Sequence, residues 1–342
     1  VQINPLLSSL SLTETPHSFA KSHRAKDLME PSINLELWED KTNVPLSPQE
    51  FVRFTENGIS AGYKVIKDQS DCPFKSFATN RLNSGATQTP SIDFGPRERG
   101  ILIHKALQLF WKKHKTREAL QYLKTNKLLE EEINTITQSA MKTNEENLIK
   151  QPHFKRMEEQ RTVSVLSKWM NEELLRPDFE VSHQEKSEFV IIDKLKLKII
   201  IDRIDVTPEG DVILIDYKTG FIKPSDWFPK RTQDPQLPLY ALKLLPSGIA
   251  FACIKKGDLK WITLHDKTSS VIKFGNTPQK IPNETGWPEW KKLMNYWKFN
   301  LNEIAKEFMA GKVLIDPYKK KTTCSNCNYQ ILCRIEDDNG PY

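Results

Sequence analysis

The stretch that decides the fold runs from Ile201 to Gly220, IDRIDVTPEGDVILIDYKTG. Residues from Ile199 to Val206 and from Asp211 to Lys218 are rich in β-branched types, and Pro208, Glu209 and Gly210 between them form turns, so the stretch predicts a β-hairpin. Side chains alternate faces along a strand, which puts Asp216 and Lys218 on one face and lets Asp202 of the partner strand lie near Asp216. Ionised carboxylates in so apolar a setting are costly unless something positive offsets them. Two carboxylates and an ammonium at a hairpin end are the parts of a divalent-metal site: hard oxygen ligands for Mg²⁺ or Mn²⁺, with the lysine beside the reacting group. The plainer alternative is an exposed surface salt bridge, against which the flanking VILI argues burial. Asp205 follows Asp202 by three, so alternation sends it to the opposite face, where a structural pairing with an Arg or Lys is expected.

Working outward, RERGILIHKALQLFWKKH (Arg97 to His114) carries Ile103, Leu107, Phe110 and Trp111 at helical spacing. On that helix His104 lies near the apolar face; alone it reads as a core or capping residue, but beside the hairpin it is a third ligand that adds no negative charge. A short helix is expected near Cys72 to Leu82, further helices between Thr116 and Lys150, and another from Phe154 to Leu175. Strands are expected at Val181 to Ile192, at GIAFACI from Gly248 and at LKWITLH from Leu259. DPQLPLYALKLL between the hairpin and GIAFACI reads as a helix with Gln236 and Tyr240 on one face, either a plain helix surface or a polar pair turned to the metal site. A long helix from Trp287 to Met309 precedes the last cysteines. Helices, a block of strands, then a strand-helix-strand crossover predict an α/β domain with one central mixed sheet flanked by helices. Residues 1–47, with Pro, Ser and Thr and little periodicity, read as a linker or extended arm, and 48–342 as the folded domain.

With 342 residues and 38% hydrophobic content the chain can bury a real core. Its 50 basic and 44 acidic residues permit a polyanionic partner without requiring one. No apolar run reaches bilayer length and the first residues lack a secretory pattern, so no membrane is expected and the location expected is the cytoplasm of a bacterial-type cell. The absence of an initiator Met fits the C-terminal piece of a longer protein. Five cysteines, three of them between Cys324 and Cys333, point to metal or redox chemistry and away from a secreted disulfide framework.

Taken together, these residues resemble the PD-(D/E)xK nuclease superfamily, and within it the nuclease domains of RecB- and AddB-type helicase-nucleases and their "probable DNA repair protein" relatives. The order of a helix-borne His, an upstream Glu, I-D-x-I-D, D-Y-K-T-G and Q-x-x-x-Y corresponds to His104, Glu185, Asp202, Asp216 with Lys218, and Gln236 with Tyr240, over about Gly62 to Ile335. The resemblance implies a restriction-endonuclease-like core and metal-dependent cleavage of DNA phosphodiesters, exonucleolytic in preference to endonucleolytic, at single-stranded or duplex ends and beside a helicase subunit or domain. His104, Asp202, Asp216 and the carbonyl of Tyr217 would ligate Mg²⁺ or Mn²⁺. Lys218 would act on the transition state, Gln236 and Tyr240 would support the site and contact DNA, and Glu185 would join the catalytic group. Arg161, Lys168, Lys223, Lys230 and Arg231 are candidates for a basic DNA channel. Where relatives often have Gly or Arg just before the I-D of the first strand, this chain has Ile200.

The C-x2-C-x5-C pattern of Cys324, Cys327 and Cys333 lacks a fourth thiolate, and Cys72, in a CPF setting similar to the first cysteine of AddB-type domains, is the candidate. That likeness implies a [4Fe-4S] cluster pinning the two ends of the domain together, with Zn²⁺ on the same ligands as the alternative. Cys253 in IAFACI reads as a buried core thiol. A non-catalytic DNA-binding module and a metal scaffold with incidental carboxylates are the competing functions.

Overall fold

Five strands form one sheet in chain order: β1 (Glu180–Ile192), β2 (Leu195–Val206), β3 (Val212–Lys218), β4 (Gly248–Lys255) and β5 (Asp258–His265). Neighbours are antiparallel except β3 and β4, which run parallel, so the sheet is mixed. The computed structural model describes residues 42–60, 62–85, 95–143, 152–266 and 289–335, all within a compact unit running from Lys41 to Tyr342. The predicted hairpin is β2 and β3, and its turn closes with Gly210 at φ +88° and the Thr207 N–H donating to the Asp211 carbonyl at 3.0 Å.

Helices cover both faces. In chain order they are α1 (Pro48–Val52), α2 (Tyr63–Asp71), α3 (Pro73–Ser76), α4 (Pro96–Lys113), α5 (Arg117–Thr125), α6 (Leu129–Lys142) and α7 (Pro152–Leu174) before the sheet. Then α8 (Gln236–Leu244) makes the parallel crossover from β3 to β4, and α9 (Trp290–Met309) and α10 (Gln330–Cys333) follow the sheet. On one face Leu214, Ile249, Phe251 and Leu264 pack against α2, α8 and α9; on the other Ile213, Ile215, Ala250 and Ala252 pack against α4 to α7. This alternation between neighbours is the period of a strand buried on both sides, which is why β3 and β4 read as continuous apolar runs. Pro96 at the first turn of α4 and the buried stripe Ile103, Leu107, Phe110 and Trp111 explain that helix.

Three details add to the sequence reading. α2 was not anticipated: its buried residues are Val65, Ile66, Gln69, Ser70 and Asp71, so most of its inward face is polar and gives no apolar period. Its entry depends on Gly62, at φ +56°, where a Cβ would meet the Lys198 carbonyl oxygen at 2.5 Å. The helix expected near Cys72 to Leu82 runs from Pro73 to Arg81, its second half a π-helix, and Cys72 is the extended residue that caps it after α2. Residues 42–47, the end of the expected arm, are bound to the domain: Val44 N–H donates to Gly311 O at 2.8 Å and Val313 N–H to Thr42 O at 2.9 Å. The rest of the arm, the far end of the Thr116–Lys150 stretch and the expected start of α9 at Trp287 lie outside the described residues. Among the described residues no helix is long and apolar enough to cross a membrane.

Candidate active site

The β2–β3 register pairs Arg203 with Ile215, which brings Asp202 across from Asp216 on the face that α8 covers. Asp202 is held by its neighbour strand, its Oδ2 accepting the Tyr217 N–H at 2.9 Å. His104, projecting from α4, places Nδ1 3.3 Å from the same oxygen. Asp216 is buried, with Lys218 Nζ 2.8 Å from its Oδ2. Gln236, the first residue of α8, ties the two together: its amide donates to Asp216 Oδ1 while its carbonyl oxygen accepts from Lys218. One turn later Tyr240 places its hydroxyl 3.3 Å from the Gln236 amide nitrogen. The six residues His104, Asp202, Asp216, Lys218, Gln236 and Tyr240 thus meet, although 136 positions separate the first from the last.

Glu185 joins them from β1. One ligand atom each of His104, Glu185 and Asp202 lies within 4.8 Å of the others, the spacing of a cation site. Glu185 has φ +46°, a left-handed conformation unusual for a non-glycine residue inside a strand and of the kind that collects at functional sites. This trio overlaps the ligand set expected from the sequence but differs from it. Glu185 comes in, whereas Asp216 faces Lys218 and Gln236, and Tyr217 contributes its N–H to Asp202.

The charges are unbalanced. Burial, and then the nearby Asp202 charge, push the Asp216 carboxyl up to about 7 against the pull of Lys218. Burial works to lower the His104 pKa, yet the Asp202 and Asp216 charges and the Asp202 hydrogen bond carry it up to about 9. Burial and the Asp202 charge raise Glu185 as well. A cluster in which the Asp202 charge raises both Asp216 and Glu185 is the arrangement a divalent cation relieves. Asp216 Oδ2 in addition has no aligned hydrogen-bond donor among the described residues, the Lys218 ammonium being its ionic neighbour. The donor set therefore fits a hard cation.

Sequence reasoning missed two residues that face the site electrostatically. Tyr63, on α2, feels burial and the charges of Lys218 and Asp216; Asp234, just before α8, acts on both Tyr63 and Lys218. Tyr63 belongs to a helix whose buried face is mostly polar, so no hydrophobic signal marked it.

Behind the site, on the opposite face, lies a buried ionic network. Arg203 Nε meets Asp205 Oδ1 at 2.6 Å and its Nη1 meets Glu173 Oε1 at 2.8 Å, while Arg176 bridges Asp205 at 2.7 Å and Glu173 at 2.8 Å. Arg203 also donates to the Tyr217 hydroxyl at 3.2 Å. Asp205 thus stands opposite Asp202 and pairs with arginines, as alternation requires.

Cys72, Cys324, Cys327 and Cys333 line one cavity together with Phe74, Pro317 and Gln330. Cys72 is buried and the other three are half-buried. Burial raises the Cys324 thiol, with the other three thiols acting in the same direction. Cys253 lies apart on β4, its thiol pushed up to about 11 by burial. Of the proposed channel residues, Lys168, Lys223 and Lys230 are exposed and Arg161 is half-exposed, 3.7 Å from Glu158. Arg231 is committed to bonds within the chain.

Comparison with known proteins gives short local matches. An 89-residue stretch is 28% identical to the B subunit of the ATP-dependent helicase/deoxyribonuclease of Clostridioides difficile (strain 630), covering 24% of this chain and 8% of that protein. A 46-residue stretch is 46% identical to the like-named protein from Ruminiclostridium cellulolyticum, covering 13% of this chain and 4% of that protein. The matched stretches thus span less than a tenth of the length of these curated relatives. A solved structure, that of SSO0001, aligns over 79% of this chain and 94% of its own at 12% identity with a TM-score of 0.29, too distant a likeness to argue from. Residues 63–334, which hold every residue of the site, match the PD-(D/E)XK nuclease superfamily, and the chain belongs to that superfamily.

Proposed function

We propose that this chain is a metal-dependent deoxyribonuclease module of DNA repair and recombination, an exonuclease acting at DNA ends beside a helicase subunit or domain. The observation that carries the reading is the convergence of His104, Glu185 and Asp202 around one point, next to the buried Asp216 with Lys218 and Gln236. His104, Asp202, Asp216 and the Tyr217 carbonyl would hold Mg²⁺ or Mn²⁺, with Glu185 added to the set by its position. When bound, the metal acidifies a water and neutralises charge gathering on the phosphate, so no nucleophilic side chain is required. Lys218 presents a permanent positive charge, because Asp216 and Asp234 hold its pKa up against burial, and that charge faces the phosphate in the transition state. Gln236 keeps Lys218 and Asp216 in register, and Tyr240 steadies Gln236. The partner is inferred from the relatives' printed name, which is that of an ATP-dependent helicase/deoxyribonuclease.

Two features support contact with a DNA end. Phe221, three residues beyond Lys218, is 77% exposed, with the Lys223 ammonium 5.7 Å from its ring centroid. An exposed ring beside a cation is a stacking surface for an unpaired base, while Lys168, Lys223 and Lys230 would meet phosphates. The four cysteines would hold a [4Fe-4S] cluster closing domain 48–342. Zn²⁺ on the same four thiolates is the alternative. The module works in the cytoplasm. The test is cleavage of labelled single-stranded and blunt duplex DNA with Mg²⁺, with Mn²⁺ and with EDTA. Cleavage with either metal and none with EDTA is expected; binding without cleavage would favour the non-catalytic module.

A further inference from the structure

Arg231 lies in the loop that leads from β3 to α8, and all three of its guanidinium nitrogens donate within the chain. Nε donates to Ser70 O at 2.8 Å and Nη2 to Asp71 O at 3.2 Å, the last residues of α2 before Cys72. Nη1 donates to Asp316 Oδ2 at 2.9 Å and Nη2 to Asp316 O at 2.7 Å, on the strap that leads to the other three cysteines. The strap is in turn bound to the Cys72 segment, with Tyr318 N–H on Asp71 O at 2.8 Å and Phe74 N–H on Leu314 O at 3.2 Å. On the other side, the loop that carries Arg231 ends at Gln236. Its course is fixed by Lys67 of α2, whose ammonium donates to Gln233 O at 3.1 Å, and by Gln233, whose amide donates to Arg231 O at 2.9 Å. Gln236 is the residue that holds both Asp216 and Lys218.

We propose that Arg231 is a positioning residue that couples the cysteine centre to the nuclease site: by gripping both chain segments that carry the cysteines, it sets the loop from which Gln236 reaches Asp216 and Lys218. The inference rests on the reading given above for the two sites. A phosphate is best met by a free fork of N–H groups, whereas four of the five N–H groups of this guanidinium already have partners within the chain. Small displacements of a group that aligns a catalytic pair are felt in turnover, whereas a lost phosphate contact is felt in substrate affinity.

The test uses the whole chain carrying Arg231→Met, Arg231→Lys, Asp316→Asn or Cys327→Ser, with hydrogen exchange of the segment from Gln233 to Leu244 and cleavage kinetics as readouts. Arg231→Met is expected to speed exchange of that segment about tenfold while leaving the metal content of the cysteine centre unchanged. Its kcat should fall about tenfold with KM for DNA held within about twofold. Asp316→Asn, at a half-exposed side chain that leaves the fold intact, should reproduce the exchange effect in weaker form. Arg231→Lys, keeping the charge but losing the fork, should not rescue turnover. Cys327→Ser should loosen the same segment, and the Arg231→Met, Cys327→Ser double variant should do no more than the larger single change, because both act through one link. Unchanged exchange in Arg231→Met, additive effects in the double variant, or a loss confined to KM and rescued by lysine would overturn the coupling. Since exchange needs no cleavage, a wild-type protein that shows the linked exchange but cuts no DNA would support the coupling while removing the nuclease reading.

Discussion

At the residue scale, each side chain of the site has a separable task. Asp216→Asn removes one carboxylate charge from a crowded set, so the fold should survive while cleavage falls by at least about 10³-fold. If its charge acts on the transition state as proposed, Lys218→Ala should keep Mn²⁺ affinity and lose about 10²–10³-fold in kcat. Titration calorimetry with Mn²⁺ beside single-turnover cleavage separates the two; a Lys218→Ala effect confined to metal affinity would show that its role is assigned wrongly. Glu185→Gln reports on the trio: weakened Mn²⁺ binding would make it a ligand, and unchanged binding with normal cleavage would return it to an ordinary strand residue. The sequence named these residues because D-x-K spacing and the alternation of a strand are local rules. It could not show that the left-handed turn at Glu185 brings that carboxylate to His104, because such a conformation follows from tertiary packing and not from residue type.

At the element scale, the hairpin of β2 and β3 is fixed from behind by the network of Arg203, Asp205, Glu173 and Arg176, all buried. Asp205→Asn leaves two arginines without part of their charge compensation and should destabilise by about 3–5 kcal/mol in urea unfolding, far more than an exposed carboxylate would. A loss below about 1 kcal/mol would show that the network relaxes freely. A second ionic device locks the short helix α1, where Ser47 and Glu50 form a reciprocal cap and Arg81 binds Glu50 at 2.7 Å. The Arg81 hydrogen bond, opposed by burial, lowers the Glu50 pKa from 4.5 to about 2. A depressed carboxylate stabilises above its unfolded pKa, and that contribution is lost as pH falls from 4.5 toward 2. Arg81→Ala should therefore lower the melting temperature at pH 7 and lose less than the wild type between pH 5 and pH 3. An equal acid sensitivity in both proteins would contradict the assignment. α2 was not legible, because its buried polar face hides it from any apolar period.

At the scale of the whole molecule, the strands and the long helices were legible because both faces of the sheet are apolar and the helices carry regular stripes. What joins distant parts was not. Cys72 and Cys333 sit about 260 positions apart and meet in one cavity, and the C-x2-C-x5-C pattern alone cannot name its fourth member. If the four share a cluster, Cys72→Ser and Cys327→Ser should destabilise the protein equally, and each should bleach an absorption near about 400 nm in anaerobically purified protein. Colourless protein with stoichiometric zinc would replace the cluster by Zn²⁺. Affinity for single-stranded DNA should fall with salt at a log–log slope of about −0.7 per neutralised phosphate, and Lys223→Ala should flatten it by about one contact.

The central claim is that the carboxylates of the hairpin, with His104 and Lys218, cut DNA with a bound divalent metal. The most direct measurement is Mg²⁺- and Mn²⁺-dependent release of nucleotides from end-labelled DNA by the wild-type chain and by Asp216→Asn, both with matching circular dichroism spectra. Metal-dependent cleavage by the wild type is expected, abolished by EDTA and reduced at least about 10³-fold in the variant. Equal cleavage by the two proteins, or cleavage that persists in EDTA, would contradict it.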